Sequence, residues 1–175
     1  FTMLEAYEAY SDYDGMARLF ETVIWNCAQE LGVSKTNFNG IEISLRPPFR
    51  RVYLPEAWKD KVGEPIDAIL EGKGFNRKGL MTLAGRLGLH ASDKTPSGKI
   101  FERIFDDKIG PMLGPMTFVF DHPTAITPLA KLKPGGGDSL VERFECYGAG
   151  QELANAYTEL NDPQDQRDRL LEQAR

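Results

Sequence analysis

The clearest periodic pattern in the chain is a stripe of apolar residues between positions 16 and 31. Apolar side chains recur there at the spacings of three and four residues that mark one face of an α-helix. The stripe consists of Met16, Leu19, Phe20, Val23, Ile24, Cys27 and Leu31. Asp14 is a suitable N-cap before it, and Gly32 is a suitable terminator after it. The pattern predicts an amphipathic helix with Cys27 on its buried face.

Alternation with a period of two residues predicts strands in other parts of the chain. The run FTMLEAYEAY, at positions 1–10, reads as a strand with Phe1, Glu5 and Tyr7 on one face. IEISL and RVYL read as short strands on either side of the turn RPPF, and MTFVFD reads as a buried strand. Between about 55 and 113 the pattern is helical and broken by Gly and Pro, so we predict an inserted helical subdomain there.

The last third of the chain predicts a loop, a hairpin and a helix. HPTAITPLAKLKP and GGGD form a long loop, and DSLVERFECYGAGQELANAYTEL reads as two strands joined at YGAG. This register places Cys146 opposite Gln151 and Glu145 opposite Glu152. Asp162 and Pro163 then suit the N-cap and first position of a C-terminal helix. The order of elements indicates an α+β fold in one domain, with an antiparallel sheet flanked by helices.

Composition narrows the function classes. The net charge is −5, which does not suit a basic nucleic-acid binder. The apolar runs are too short to span a bilayer, and no secretory signal is visible. The two cysteines, Cys27 and Cys146, both fall at positions predicted to be buried, which favours a reducing, cytoplasmic compartment. Neither lies near another Cys or His, so zinc is disfavoured, and His90 and His122 are predicted to be structural.

Two glutamates facing each other on a hairpin would repel. Glu145 and Glu152 can both point to water, one of them can be protonated, or a divalent cation can lie between them. Hard oxygen ligands of this kind suit Mg²⁺, which also binds phosphate oxygens. The sequence alone leaves these three alternatives open.

A second group of polar residues follows in the next strand. Asn155, Tyr157 and Glu159 share one face, whereas Glu152 has the opposite parity. Both sets face one pocket only if the strand bulges near Leu153 or Ala154. Taken singly, each strand is an ordinary half-exposed strand. Taken with the face of Phe1, Glu5 and Tyr7, the pattern suggests a pocket for an ammonium group and a planar base.

Longer motifs carry a family resemblance. FTMLEAYEAYSDY resembles the second strand of motif 2 in class II aminoacyl-tRNA synthetases of the lysine, aspartate and asparagine group. RPPFRR, DHPTAITPLAK and ERFECYGAGQELANAYTELNDPQDQRDR resemble lysyl-tRNA synthetases in particular, in the family's order. The run ELANAYTELNDP is the most specific, since the aspartate and asparagine enzymes have another motif there.

The resemblance implies roles for the residues that the strand patterns single out. Phe1 and Glu5 would contact the adenine of ATP, and Glu145 and Glu152 would bind Mg²⁺ on its phosphates. Tyr7 and Glu159 would hold the lysine ammonium group, with Asn155 and Tyr157 lining the rest of the lysine site. The implied enzyme forms lysyl-adenylate from lysine and ATP and passes lysine to tRNA(Lys). The attacking carboxylate is already anionic, so no catalytic acid or base is predicted.

The chain also departs from the family. Gln151 replaces an arginine, Ala125 a glutamate and Thr127 a serine, and Tyr157 stands where many bacterial members have Phe. Motif 1, the first half of motif 2, motif 3 and the anticodon-binding domain are not recognisable. The chain starts without Met and stops at Arg175 without a C-cap. We therefore expect a central fragment of the enzyme that is inactive alone. The intact enzyme is expected to be a homodimer. Motif 1 normally supplies the dimer interface, so the oligomeric state of the fragment is open.

Two other functions fit the same residues. A lysyl-tRNA synthetase paralogue that attaches lysine to a translation elongation factor shares this scaffold. A non-catalytic synthetase-like fragment that binds a nucleotide or a partner is the alternative outside enzymes.

Overall fold

The computed structural model describes residues 2–173. The helices and strands alternate along the chain as an α+β arrangement, which confirms the predicted fold class. The helices are α1 (Tyr13–Glu30), α2 (Leu54–Val62), α3 (Arg77–Arg86), α4 (Ser97–Lys108) and α5 (Pro163–Gln173). The strands are β1 (Lys35–Phe38), β2 (Ile41–Ser44), β3 (Arg50–Tyr53), β4 (Leu70–Glu71), β5 (Gly74–Phe75), β6 (Met116–Phe120), β7 (Arg143–Gly148) and β8 (Gln151–Tyr157). Among residues 2–173, no helix combines the length and the apolar character needed to cross a bilayer.

A four-stranded sheet in the order β3-β6-β7-β8 forms the centre of the molecule. Strands β6, β7 and β8 are antiparallel, as expected, whereas β3 runs parallel to β6, so the sheet is mixed. A parallel pair needs a long crossover connection, and the segment carrying α2, α3 and α4 supplies it. The predicted helical stretch therefore joins two neighbouring strands of the same sheet.

Two separate apolar cores lie on opposite faces of the sheet, and β6 contributes to both. Phe118 and Phe120 pack with Phe144 under α1, with the rings of Phe118 and Phe144 edge to face at 5.0 Å. Val119 points the other way, into the core formed by α2, α3 and α4, where Trp58 stacks on Phe101. The alternation along β6 follows from the two-residue period of a strand, and it explains why all five of its residues are buried.

The first helix forms where predicted but begins earlier. Asp12, not Asp14, is the N-cap of α1, and its side chain accepts a hydrogen bond from the Gly15 amide. Cys27 is exposed, so the prediction that it is buried was wrong, whereas Cys146 is buried as expected. The helix buries a narrower stripe that includes Ala17, Glu21 and Ala28, because only one side of it meets the sheet.

Residues 2–10 do not form the predicted strand. Residues 2–8 have no regular secondary structure and are exposed. A strand is completed by hydrogen bonds to a neighbour, and none of the described strands pairs with this segment. A small hairpin lies further on, where Asn39 and Gly40 join β1 to β2. Both residues have positive φ angles, as the favoured two-residue hairpin turn requires. The second strand of this hairpin, β2, confirms the prediction for IEISL, whereas β1 was not predicted.

The β7–β8 hairpin forms with a register different from the predicted one. Its turn is Ala149–Gly150, both with positive φ, inside the predicted YGAG loop. Glu145 pairs with Asn155 rather than Glu152, and Cys146 pairs with Ala154 rather than Gln151. The prediction counted four loop residues, whereas the tight turn uses two and lets Gly148 pair with Gln151.

The C-terminal helix α5 has the predicted start. Asp162 caps it by accepting hydrogen bonds from the amides of Gln164 and Asp165. Arg169 is buried and donates to Asp165 through two nitrogens, at 3.0 and 2.7 Å. It also donates to the carbonyl of Ala130 at 2.8 Å. These contacts fix α5 to the loop that precedes the hairpin.

Candidate functional site

The hairpin β7–β8 has one polar face. Residues opposite each other on paired strands point to the same side of a sheet. Arg143 faces Tyr157, Glu145 faces Asn155, and Tyr147 faces Glu152. These three pairs therefore line one surface.

A β-bulge makes this shared face possible. Cys146 pairs with Ala154 and Tyr147 pairs with Glu152, so Leu153 is an extra residue without a partner. The extra residue reverses the parity of the strand, which moves Glu152 to the side of Asn155. The predicted bulge near Leu153 or Ala154 is thus confirmed.

Arg143 lies at the centre of the polar face, and sequence reasoning missed it. Its guanidinium group donates to Asn155 Oδ1 at 2.9 Å and to Glu145 Oε1 at 2.6 Å. A third bond, of 2.9 Å, goes to Thr127 Oγ1 in the loop between β6 and β7. Only the tertiary pairing of the strands could identify this role, because the three partners are 12, two and 16 residues away in sequence.

Glu145 is a nearly buried carboxylate surrounded by donors. Its other oxygen accepts a hydrogen bond from the Tyr147 hydroxyl and lies 4.0 Å from His122 Nε2. Burial by itself would raise the pKa of Glu145, but the charges of His122 and Arg143 and the Tyr147 hydrogen bond lower it. Burial lowers the pKa of His122 to about 4, so its imidazole is neutral at pH 7. Arg143 is therefore the cation that keeps Glu145 ionised at neutral pH.

Glu152 lies near Glu145 although the two are not directly opposite. Burial raises the pKa of Glu152, and the negative charge of Glu145 raises it further. Such repulsion between two carboxylates is relieved by a cation between them. Residues 2–173 contain no group of three or more His, Cys, Asp and Glu side chains that could hold a metal ion by themselves. The donor set fits Mg²⁺, which binds through one or two carboxylates and takes its remaining ligands from water and phosphate.

The predicted lysine-site residues gather around Tyr157. Burial raises the pKa of Tyr157, and the charges of Glu159 and Tyr7 raise it further. A smaller increase comes from Glu5. These three groups are therefore near enough to Tyr157 for their charges to act on its pKa, and Tyr7 is 82% exposed. Asn155 and Glu159 are exposed as well, and Phe1 lies outside the described residues.

Backbone hydrogen bonds beyond the end of β8 hold the main chain at Glu159. Glu159 forms an isolated bridge with Ala130, and the Lys131 amide donates to the carbonyl of the preceding Thr158 at 2.9 Å. Tyr13 donates its amide to the Thr158 side chain at 3.0 Å. The loop of the DHPTAITPLAK motif and the start of α1 therefore fix the backbone beside Glu159.

The fold and the polar face together define the class of protein. A profile described as tRNA synthetases class II (D, K and N) matches residues 1–175, and the chain belongs to this family. It is similar to the lysine–tRNA ligase of Thermoanaerobacter pseudethanolicus, with 38% identity over 99% of this chain and 34% of that protein. It is similar also to the lysine–tRNA ligase of Roseiflexus sp. RS-1, with 42% identity over 100% of this chain and 35% of the relative.

A third similar protein is the lysine–tRNA ligase of Moorella thermoacetica, with 40% identity over 97% of this chain. The match over residues 1–175 confirms the predicted class II family, and these three similar proteins are all lysine–tRNA ligases. The chain spans about a third of the length of the relatives that it matches.

Proposed function

We propose that the complete protein carrying this sequence is a cytoplasmic lysine–tRNA ligase. The observation that carries the proposal is the single polar face of the β7–β8 hairpin. On that face, the acids Glu145 and Glu152 lie beside Asn155 and Tyr157, with Glu159 close by. Similarity to lysine–tRNA ligases over almost the whole chain supports it. Free thiols at Cys27 and Cys146 agree with a reducing compartment.

In the proposed lysine site, Glu159 pairs with the side-chain ammonium group of the substrate. Tyr157, whose pKa the charge of Glu159 raises, would supply a hydroxyl group and ring surface beside this carboxylate, and Tyr7 would add a second hydroxyl group. An amino acid without the terminal ammonium group would leave the carboxylate without a partner when the site closes around it. The site would select lysine in this way.

In the proposed ATP site, Glu145 and Glu152 hold Mg²⁺, with Phe1 and Glu5 contacting the adenine. When bound, Mg²⁺ would neutralise charge on the phosphate oxygens. Arg143 keeps Glu145 ionised and therefore able to act as a ligand. The Tyr147 hydroxyl binds the second Glu145 oxygen and holds the carboxylate plane in place.

The proposed reaction needs no proton transfer in its first step. The lysine carboxylate attacks the α-phosphorus of ATP, the bond to pyrophosphate breaks, and lysyl-adenylate forms. A terminal ribose hydroxyl of tRNA(Lys) then attacks the lysyl carbonyl, and AMP leaves. Positioning and charge neutralisation account for the first step, which fits a polar face without a nucleophilic Cys or an unpaired His.

Lysine-dependent ATP–pyrophosphate exchange by the complete protein is the direct test. We expect exchange with lysine and Mg²⁺, and about a 10²-fold lower kcat/KM for lysine in Glu159→Gln. Glu42→Gln is the matched control, because Glu42 is an exposed carboxylate on the β1–β2 hairpin that forms an ion pair with Lys35. Exchange that responds equally to both substitutions, or that requires another amino acid, would refute the proposal.

Transfer assays separate the proposed function from its alternatives. We expect radiolabelled lysine to be attached to tRNA(Lys) and not to a translation elongation factor. A protein that binds ATP without exchange would be a binding module instead. The 175-residue chain alone is expected to show no exchange, because it covers about a third of its relatives. The oligomeric state of the complete protein, which we expect to be a homodimer, can be measured by light scattering.

A further inference from the structure

One guanidinium group connects the two halves of the proposed site. Arg143 is only 12% exposed at its side chain, and its three nitrogens each donate to a different residue. Asn155 belongs to the proposed lysine half and Glu145 to the proposed magnesium half. Thr127 belongs to neither, and its hydroxyl anchors the guanidinium group from the loop between β6 and β7.

The contact with Asn155 decides which way its amide points. Arginine has only donors, so the atom of Asn155 that faces Arg143 must be the acceptor, Oδ1. The amide nitrogen of Asn155 then points away from Arg143 and can donate only to an acceptor. The group that Asn155 offers to a ligand is thus a donor, which suits a carboxylate or carbonyl oxygen of an amino acid.

The contact with Glu145 holds the carboxylate of the proposed magnesium half of the site. Arg143 occupies one lone pair of Oε1 and the Tyr147 hydroxyl occupies one of Oε2, so about half of the acceptor sites of the carboxylate stay free for a cation. Because the guanidinium group is planar and rigid, its bonds to Glu145 and Asn155 cannot change independently. A lysine side chain at position 143 would keep the charge but could not bind both residues in this fixed geometry.

We propose that Arg143 is a positioning residue that sets the Asn155 amide and the Glu145 carboxylate in a fixed relation. This inference rests on the proposed function. In this assignment, Asn155 would bind the carboxylate of the substrate lysine and Glu145 would bind the Mg²⁺ on the ATP phosphates. Arg143 would align the two substrate groups by holding both side chains in place. Arg143 contacts neither substrate in this assignment.

Arg143→Lys in the complete protein tests the proposal. We expect the KM for lysine and the half-saturating Mg²⁺ concentration for exchange each to rise by about 10-fold, because two charge-assisted hydrogen bonds are weakened. Arg50→Lys is the matched control. Arg50 is an exposed arginine of the same sheet that donates to the Met112 carbonyl, and we expect both constants to stay unchanged. The melting temperature of each variant is measured in parallel.

A second variant keeps the arginine and removes its anchor. Thr127→Val has nearly the same shape but lacks the hydroxyl that accepts from Arg143. We expect the same two constants to rise, by about 2- to 5-fold, since one neutral acceptor is lost. If Arg143→Lys does not fold, the same criterion applies to Thr127→Val. A lower melting temperature with unchanged constants would mean a purely structural role and would overturn the proposal.

A double-mutant cycle distinguishes positioning from an independent effect. If Arg143 acts through Asn155, adding Arg143→Lys to Asn155→Ala should raise the lysine KM less than 2-fold further. Additive effects would refute the coupling. Lack of lysine-dependent exchange in the unmutated protein would instead refute the proposed function, and this inference with it. Normal exchange that is insensitive to Arg143→Lys would refute only this inference.

Discussion

The N-terminal segment 2–10 and the β7–β8 hairpin have similar sequence patterns and different structures. Both alternate acidic or aromatic residues with small or apolar ones, and both predict a strand with an acid and a tyrosine on one face. The hairpin forms, because β7 pairs with β6 on one side and with β8 on the other. The segment stays irregular, since no described strand pairs with it. Alternation marks a chain that can form a strand, and the hydrogen-bond partner decides whether it does.

Burial separates the two regions just as clearly. Phe144 of β7 is 1% exposed and contacts Phe118 and Phe120, whereas Leu4 of the segment is 78% exposed. The hairpin carries part of the core under α1. The segment contributes side chains to the surroundings of Tyr157 without packing into either core.

The largest expected difference comes from truncating one apolar side chain in each region. Phe144→Ala should lower the free energy of unfolding by about 3–5 kcal/mol, since it opens a cavity between aromatic rings. Leu4→Ala should change it by less than about 0.5 kcal/mol. Urea unfolding of the complete protein measures both values. A cost above about 1 kcal/mol for Leu4→Ala would show that Leu4 packs against the rest of the protein and would contradict the prediction.

A medium effect is expected from the bulge that gives the hairpin its polar face. A methyl group on Gly148 would lie 2.3 Å from Leu153 Cδ1 and 3.2 Å from Met116 Sδ. Gly148→Ala should therefore cost about 1–3 kcal/mol in unfolding free energy.

The control for this substitution removes the obstructing side chain. Leu153→Ala is itself expected to cost less than about 1 kcal/mol, because Leu153 is 49% exposed. In the double variant, the cost of Gly148→Ala should fall by about half or more. A double variant whose cost is the sum of the two single costs would mean that Leu153 does not cause the strain.

Acid should loosen the end of the hairpin before it affects the segment. The hydrogen bond from Arg169 lowers the pKa of Asp165 to about 2, although burial opposes this shift, and the Lys73 hydrogen bond lowers the pKa further. A carboxylate with a lowered pKa stabilises the fold above its unfolded pKa of about 3.9, and this stabilisation is lost as the pH falls toward 2.

Hydrogen exchange measures this loss at particular amides. Protection of the Leu160 and Lys131 amides, which bind across the loop and the hairpin end, should fall between about pH 4 and 2. Asp165→Asn should weaken this pH dependence, because position 165 then no longer titrates. The exchange of residues 2–8 should depend on pH only through its intrinsic chemistry. Equal protection of Leu160 at both pH values would contradict the prediction.

The smallest expected effect tests where the segment lies. Tyr7→Phe removes a group whose charge raises the pKa of Tyr157, so this pKa should fall. Stability should change by less than about 0.5 kcal/mol, since Tyr7 is exposed. Tyrosine ring signals followed by NMR titration give the pKa directly. An unchanged Tyr157 titration would mean that the segment lies away from the hairpin in solution.

Sequence reasoning located most helices and the acidic hairpin, because these depend on signals between near neighbours. Helix α1, the Asp162–Pro163 start of α5 and the two main helices of the middle stretch formed as predicted, although the buried face of α1 does not include Cys27. The site was only partly predictable. The predicted hairpin register was wrong because the prediction assumed a loop of four residues where the turn has two. Arg143 was missed because one of its partners, Thr127, lies on another loop.

The sequence by itself determined the α+β class, the family motifs and which strand carries the proposed lysine-site residues. Periodicity and turn chemistry act over a few residues, so they can be read from the letters alone. Only the tertiary structure decided that no strand within residues 2–173 pairs with the segment 2–10, that Leu153 is the bulged residue, and that Arg143 joins Glu145 to Asn155. Strand pairing and side-chain hydrogen bonds depend on which distant residues meet, and that follows from the packing of the whole sheet.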